Sequence, residues 1–227
     1  MAKKDTRTLT RERIVETAVR IGDSESLDTL TVRRLAGELG VGAMTLYSYF
    51  RNKEEILDAM ADHVLGGMDV PPAGTDDPVE MLVGCGRAFR AMMLAHPCVV
   101  RLLSTRVTDS IDALDGAMED VLARLEAAGL GGADAVRAYG VLITYALGFS
   151  GYQAPRAWGD DPEVRRQRRH FYAGLPADRF PSTVRLSEDL PMLASSEQFE
   201  FGLRMIAEGL AAAAEAALPA GTGKGAG

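Results

Sequence analysis

The spacing of apolar residues along the chain predicts helices almost throughout. Apolar positions recur at i, i+3 and i+4, and the alternating apolar and polar runs of a half-buried strand are absent. The first predicted helix begins after Thr10, a good N-cap residue, and places Ile14, Ala18 and Ile21 on one face. It ends at residues 22–24, Gly-Asp-Ser. We therefore predict an all-α protein.

Three short helical segments follow the first helix. Thr31 is the predicted N-cap of the second, which ends at Gly40. The third is predicted over residues 43–50. Asn52 and Glu55 have the spacing of a capping box and predict the start of a fourth helix.

The remaining chain is a longer series of helices. They are predicted over residues 78–95, 98–106, 108–128, 132–153, 161–173 and 196–217. Glycines and prolines over 66–77 mark a domain boundary. We predict a flexible basic arm over 1–9, a three-helix helix-turn-helix DNA-binding domain over 10–66, a larger helical-bundle ligand-binding and dimerisation domain over 67–218, and a disordered tail over 219–227.

Charge is distributed unevenly along the chain. The net charge is −7, but residues 1–53 hold ten Lys/Arg and seven Asp/Glu, whereas residues 54–227 hold fifteen and twenty-five. A mildly basic head on an acidic body suits a protein that places one end on DNA phosphates. The chain shows neither a secretory signal nor an apolar run of the roughly 18 residues that a membrane helix needs. With Cys85 and Cys98 expected as reduced core thiols, we predict a cytoplasmic protein.

Residues 31–50 carry the functional signal. Two short helices joined by a tight turn with Gly40 and Gly42 form a helix-turn-helix pattern. Apolar residues are expected where the helices cross: Leu35, Ala36, Val41, Leu46 and Phe50. The outward surface of the third helix then offers Ala43, Met44, Thr45, Tyr47, Ser48 and Tyr49 to a DNA major groove.

The segment over residues 31–53 resembles the DNA-binding signature of the TetR (tetracycline repressor) family. It reads TVRRLAGELGVGAMTLYSYFRNK and directly precedes a predicted helix. A weaker resemblance to the tetracycline-repressor branch of ligand-binding domains covers residues 127–130, 139–148 and 199–203. The resemblance implies a dimeric regulator, most often a repressor, that binds a palindromic operator and is released by a small hydrophobic effector.

The resemblance also implies which residues contact DNA. Base-edge contacts fall on Ala43, Met44 and Thr45, and phosphate contacts on Tyr47, Tyr49 and Lys53, with Arg33 contacting a phosphate or a base. Gly42 and Ala43 offer no side-chain hydrogen bonds. We therefore hypothesise that specificity depends on Met44 and Thr45 meeting thymine methyl groups, on Arg33, and on DNA shape.

Candidate effector contacts lie in the second predicted domain. They are Phe89, Met93, His96, Arg106, Tyr139 and Ile143. Each of these residues also has a purely structural interpretation. The apolar residues could be packed core, His96 could interact with the C-terminus of a helix, and Arg106 could form a surface ion pair. Tetracycline repressors bind a magnesium–drug chelate with a histidine and an asparagine. Alignment with them places Leu102 and Cys85 of this chain at those two positions, so that chelate is not the expected effector. No metal or cofactor is predicted.

Three further interpretations stay open at this point. The alternative to a ligand-responsive regulator is a DNA-binding regulator without a small-molecule ligand, controlled by a protein partner or by its abundance. Residues 165–169, Arg-Arg-Gln-Arg-Arg, are either a second nucleic-acid patch or a solvated helix face, and the acidic residues just before them favour the second. An enzyme is not expected, because the glycines at 37, 40 and 42 follow no strand and the chain shows no catalytic constellation. Dimerisation is expected through the helices at 132–153 and 196–217.

Overall fold

The computed structural model describes residues 9–70, 77–106, 110–111, 114, 118–154 and 160–217, and over these the chain is helical without strands. The helices are α1 (Arg11–Ser24), α2 (Val32–Leu39), α3 (Ala43–Leu46), α4 (Lys53–Gly66), α5 (Pro78–Ala95), α6 (Pro97–Leu103), α7 (Glu119–Ala127), α8 (Ala133–Gln153), α9 (Pro162–Ala173), α10 (Pro181–Arg185) and α11 (Ser196–Ala217), with a 3-10 turn at Leu190–Ala194. The all-α prediction is confirmed. None of the helices in the described ranges is long and apolar enough to cross a membrane.

The observed helix ends agree with those predicted from apolar periodicity where residues close in sequence cap the helix. The prediction that α6 reaches residue 106 is wrong, because the Ser104 and Thr105 hydroxyls donate to the carbonyls of Val100 and Arg101 and end the helix at Leu103. Two short elements, α10 and the 3-10 turn, were not predicted, since five residues show too little periodicity. Of the predicted helix over 108–128, much of the first half lies outside the described residues. The arm up to residue 8 and the tail over 219–227 also lie outside them.

The chain divides into two compact units. The first consists of Met1–Asp69 and Ala91–Glu119, and the second of Val70–Arg90 and Asp120–Gly227. The sequence instead predicts one boundary at residues 66–67 and assigns α6 to the second domain. In the first unit α6 packs on α1 and α4, because its buried side chains need an apolar neighbour. The core of this unit includes Ile14, Ala18, Ile21, Leu35, Leu46 and Met60, each at most 1% exposed.

The second unit is built around the packing of α8 and α11. Its core includes Phe89, Leu142, Ala146, Phe199 and Leu203, all fully buried. The two helices approach closely at Gly202, where a Cβ atom would overlap the hydroxyl of Tyr145. That hydroxyl donates a hydrogen bond to the Phe199 carbonyl at 3.0 Å. A small residue is therefore required where the tyrosine crosses α11.

Candidate DNA-binding surface and effector site

The turn between α2 and α3 is fixed at both ends by the local sequence. The Thr31 hydroxyl accepts a hydrogen bond from the Arg34 amide at 3.0 Å and caps α2. Gly40 ends the helix with φ +68°, a left-handed conformation that glycine adopts without steric cost. The Val41 amide then donates to the Ala36 carbonyl at 3.0 Å. The result is the predicted helix-turn-helix.

Long-range contacts hold α3 and the turn after it against the start of α1. Phe50 is 2% exposed, and the Arg11 guanidinium lies 4.1 Å from the centre of its ring. Arg11 also donates to the Tyr49 carbonyl at 2.9 Å, while the Tyr49 hydroxyl donates to the Leu9 carbonyl at 2.9 Å. The segment is therefore tied to α1 through both its backbone and its side chains.

The third helix is shorter than predicted. It ends at Leu46 rather than at residue 50, so that part of the prediction is wrong. Beyond Leu46 the amides of Ser48 and Tyr49 donate to carbonyls three residues back, at 3.3 and 3.0 Å, and the Ser48 hydroxyl donates to the Thr45 carbonyl at 2.7 Å. These tight turns, together with the Arg11 contacts, replace the last turn of an α-helix.

This anchored segment presents an exposed surface. Met44 is 80% exposed and Tyr47 is 47% exposed, with Thr45 and Ser48 exposed between and beside them. Ala43 is half-buried. An apolar side chain as exposed as Met44 contributes nothing to the core of the chain. Its exposure favours a role in contact with another molecule.

Cationic residues flank this surface. Arg33 on α2 is exposed, and Lys53, the first residue of α4, is half-buried. The neighbouring Arg34 is engaged within the unit, with nitrogen–oxygen distances of 2.8 Å to Glu25 and 2.7 Å to Glu38. Its guanidinium holds the pKa of the Glu38 carboxyl below its usual value. Arg33, by contrast, is exposed, and its contact with a phosphate or a base stays a prediction.

The start of α4 confirms the predicted cap, with a local difference. The Asn52 side chain accepts from the Glu55 amide at 2.9 Å, as a capping box requires. The Glu55 carboxylate, however, accepts from the Arg51 amide at 2.6 Å, one residue before the expected partner. Both contacts fix the position of Lys53 relative to the turn after α3.

The eight predicted DNA contacts lie on α2, on α3 and the turns that follow it, and at the start of α4: Arg33, Ala43, Met44, Thr45, Tyr47, Ser48, Tyr49 and Lys53. Their contacts with DNA stay predictions. Tyr49 differs from the others because its hydroxyl already donates within the unit. Sequence reasoning missed Arg11, whose partners lie 38 residues away and have no local signature.

Two of the six predicted effector contacts meet in the second unit. The rings of Phe89 and Tyr139 lie edge to face, with centres 5.6 Å apart and planes at 81°. Burial raises the pKa of Tyr139. Ile143, one turn further along α8, is half-buried. Together Tyr139 and Ile143 form an apolar, partly open face of α8 beside Phe89.

The other three predicted effector contacts belong to the first unit. Met93 is 1% exposed. His96 Nδ1 lies 2.9 Å from the Asp23 carboxylate at the end of α1. Arg106 forms ion pairs with Glu54 and, at 2.5 Å, with Asp58 on α4. His96 and Arg106 thus have structural partners, and their effector roles stay predictions.

Arg90 is a functional candidate that the sequence did not indicate. It is 7% exposed, and its guanidinium lies 4.3 Å from the centre of the Phe199 ring. It donates to Gln153 at 3.0 Å and to the Ser196 hydroxyl at 2.9 Å, and burial lowers its pKa. An arginine inside an apolar helix pattern is the only signal that could have found it.

Comparison with known proteins agrees with this arrangement. The family described as "Bacterial regulatory proteins, tetR family" matches residues 14–60, and "Tetracyclin repressor-like, C-terminal domain" matches residues 70–214. The HTH-type transcriptional repressor DrrR1 of Streptomyces coeruleorubidus is 35% identical over 211 residues, which cover 89% of this chain and 77% of the relative. An HTH-type transcriptional regulator of Saccharopolyspora erythraea is 29% identical, over 91% of this chain and 86% of that protein.

Solved structures show the same relationship. The Streptomyces coelicolor TetR family protein ActR in complex with actinorhodin matches with a TM-score of 0.78 at 34% identity, covering 92% of this chain and 99% of that one. ActR in complex with (S)-DNPA matches with the same TM-score and identity over 92% and 100%. With a helix-turn-helix at residues 31–50, two family matches that together cover most of the chain, and repressors among its relatives, this chain belongs to the TetR family of bacterial transcriptional regulators.

Proposed function

We propose that this protein is a dimeric repressor that binds a palindromic operator and is released from it by a small hydrophobic effector. The observation that carries the proposal is the anchored α3 segment, with Met44 exposed at its tip. Two such segments in a dimer, one helical turn of DNA apart, would enter successive major grooves on one side of the duplex. The repressor relatives support the direction of control.

Base reading in this proposal depends on Met44 and Thr45, whose methyl groups suit the thymine methyl in the major groove. Lys53 supplies charge to the phosphates and carries no sequence information. Met44→Ala should weaken binding to a duplex that the protein selects more than it weakens binding to a duplex of random sequence. Lys53→Gln should weaken binding to both duplexes alike. It should also reduce the slope of log affinity against log salt by about 1.8, because a dimer loses two phosphate contacts at about 0.9 each.

Arg185→Gln is the matched control for the loss of one positive charge per subunit. Arg185 lies on α10 in the second unit and is exposed. Its replacement should leave both the affinity and the salt slope unchanged. Equal effects of Lys53→Gln and Arg185→Gln would mean that only the overall charge matters, and the assignment of Lys53 would be wrong.

The dimer in this proposal forms through the outer faces of α8 and α11. Val141, Gly148 and Tyr152 share one face of α8 at i, i+7 and i+11, and Val141 is 43% exposed. On α11, Phe201 is 62% and Met205 is 56% exposed. These apolar residues have no role in the core of a single chain, and small-residue positions such as Gly148 let two helices approach closely.

Analytical ultracentrifugation tests the dimer. Phe201→Glu should shift the protein from dimer to monomer, because it places a charge in an apolar interface. Phe171→Glu on α9 is the matched control, since Phe171 is also exposed, at 57%, but lies outside the proposed interface. A wild-type monomer at micromolar concentration, or dissociation by both variants, would overturn this part of the proposal.

The effector site in this proposal uses the face of α8 that carries Tyr139 and Ile143. That face lies roughly opposite the one with Val141, so one helix can contact both the effector and the partner subunit. Coupling of 1–3 kcal/mol, or about 5- to 150-fold in DNA affinity, is typical of such linkage. The complexes of ActR with actinorhodin and (S)-DNPA support a small organic effector.

Fluorescence anisotropy of a labelled selected duplex tests the effector site, with actinorhodin as the first probe of a panel of small hydrophobic compounds. A releasing compound should lose potency with Tyr139→Ala but not with Tyr172→Ala on α9. Magnesium–minocycline should cause no release, because Cys85 and Leu102 offer no oxygen or nitrogen ligand. Release by that chelate, or failure of every probe, would contradict the effector assignment and favour control by a partner or by abundance.

A further inference from the structure

The arginine run of α9 lines a cleft in the second unit. The cleft has a volume of about 230 Å³ and is lined by Pro162, Arg165, Arg166, Arg169, Glu188 and Pro191. Arg165 and Arg169 are one helical turn apart, with Arg166 next to them on the same side of the helix. Arg168 does not line the cleft. Residues 166–169 are exposed, in agreement with the solvated helix face that the sequence favours, whereas Arg165 is half-buried.

Two of the three arginines have carboxylate partners. Arg166 forms an ion pair with Glu163 at 2.7 Å and lowers the pKa of that carboxyl to about 2. Arg169 forms an ion pair with Glu188 at 3.0 Å. Both pairs lie at the surface, where the charges remain hydrated and the pairs are easily rearranged. The lining of the cleft itself thus holds three guanidinium groups and one carboxylate, that of Glu188.

Arg165 is the exception. One of its terminal nitrogens lies 3.2 Å from the Met192 sulfur, and a thioether is a weak acceptor. Its Nε is buried and has no hydrogen-bond partner among the residues that the structure describes. The charge of Arg165 helps to lower the pKa of the nearby Asp160 carboxyl. The hydrogen bonding of Arg165 is nevertheless incomplete within the part of the chain that the structure describes, because its Nε is unpaired and one terminal nitrogen contacts only a thioether.

We propose that this cleft binds a small oxyanion that carries phosphate or carboxylate groups. Arg165 supplies a guanidinium that makes no direct ion pair with a carboxylate among the described residues, and its remaining terminal nitrogen donates to the anion. Arg169 adds a second donor when it exchanges Glu188 for the ligand, because guanidinium groups bind both carboxylates and phosphates in a bidentate geometry. The volume suits such a ligand, since a water molecule occupies about 30 Å³ of liquid.

Isothermal titration calorimetry of the full-length protein in a phosphate-free chloride buffer tests the proposal, with sodium diphosphate and sodium citrate as probes. We expect saturable binding of at least one probe, and the tighter of the two assigns the group as phosphate or carboxylate. Arg165→Gln should weaken that binding about tenfold, equivalent to about 1.4 kcal/mol. Arg168→Gln, which removes the same charge from the same helix, should change it less than about twofold.

Glu188→Gln provides a test of opposite sign. Removing this carboxylate frees Arg169 and should tighten binding of the same probe. Arg169→Gln serves as the second loss-of-charge variant if Arg165→Gln does not fold, as judged by circular dichroism. Saturable binding of neither probe overturns the proposal, and so does equal weakening by Arg165→Gln and Arg168→Gln, since general attraction to a basic helix then explains the binding.

Discussion

Asp23 provides the sharpest test of how the first unit is held together. Its carboxylate lies at the end of α1 and accepts from the Cys98 amide at 3.1 Å, capping α6 from another helix. The other oxygen lies 2.9 Å from His96 Nδ1. A carboxylate is unfavourable at the C-terminus of α1 but favourable at the N-terminus of α6, where unpaired amides point outward. The contribution of Asp23 to stability therefore depends on its two contacts, one with the Cys98 amide of α6 and one with His96, the N-cap residue of that helix.

We expect Asp23→Ala to lower the free energy of unfolding by about 2 kcal/mol. An N-cap contributes about 1 kcal/mol. A hydrogen bond to a charged group contributes about 1.5 kcal/mol or more, but the one to His96 contributes less because that side chain is 40% exposed to solvent. For a chain of this size that loss lowers Tm by about 4–8 °C. Asp23→Asn should cost less, because its amide oxygen can still accept from Cys98.

Asp28→Ala is the matched control. Asp28 also pairs with α6, through Arg101 at 2.8 Å, but its side chain is 73% exposed. Thermal and urea unfolding of both alanine variants should show a clear loss for Asp23→Ala and no measurable change for Asp28→Ala. Equal effects would refute the reasoning, because the partly buried Asp23 cap would then contribute no more than an exposed ion pair.

Three further predictions concern local features. Asn52→Ala should lower the free energy of unfolding in urea by about 1 kcal/mol through loss of a cap, and no loss would contradict the capping geometry. Gly202→Ala should cost about 1–3 kcal/mol by overpacking against Tyr145, and less in a Tyr145→Phe background, which lacks the overlapping hydroxyl. Burial raises the pKa of Cys85 to about 11 and also raises that of Cys98. Both thiols should then stay protonated at neutral pH, so iodoacetamide followed by mass spectrometry should show modification only after unfolding; modification of the native protein would contradict this.

The features that the sequence predicted correctly are those set by near neighbours. Thr10, Thr31 and Asn52 cap helices through the amides three residues ahead, and Gly40 ends α2 through its own backbone conformation. Such contacts depend only on local spacing. The helix-turn-helix and its exposed residues follow from them, because burial of Leu46 fixes which side of α3 faces outward.

The features that the sequence missed depend on distant partners. The early end of α3 depends on Arg11, and the grouping of α6 with α1 depends on Asp23 reaching Cys98, 75 residues away. His96 and Arg106 were predicted as effector contacts because helical spacing alone does not show their partners on α1 and α4. Apolar periodicity identifies which face of a helix is buried, but not which helix covers it.

Selection of binding sites from a random duplex pool, repeated at two salt concentrations, tests the central claim most directly. The account predicts recovery of a palindrome whose half-sites lie about 34–36 Å apart, with affinity falling steeply as salt rises. Met44→Ala should reduce the enrichment of that site. Recovery of no common sequence by folded, dimeric protein would contradict the account, because the surface formed by α3 would then not read DNA.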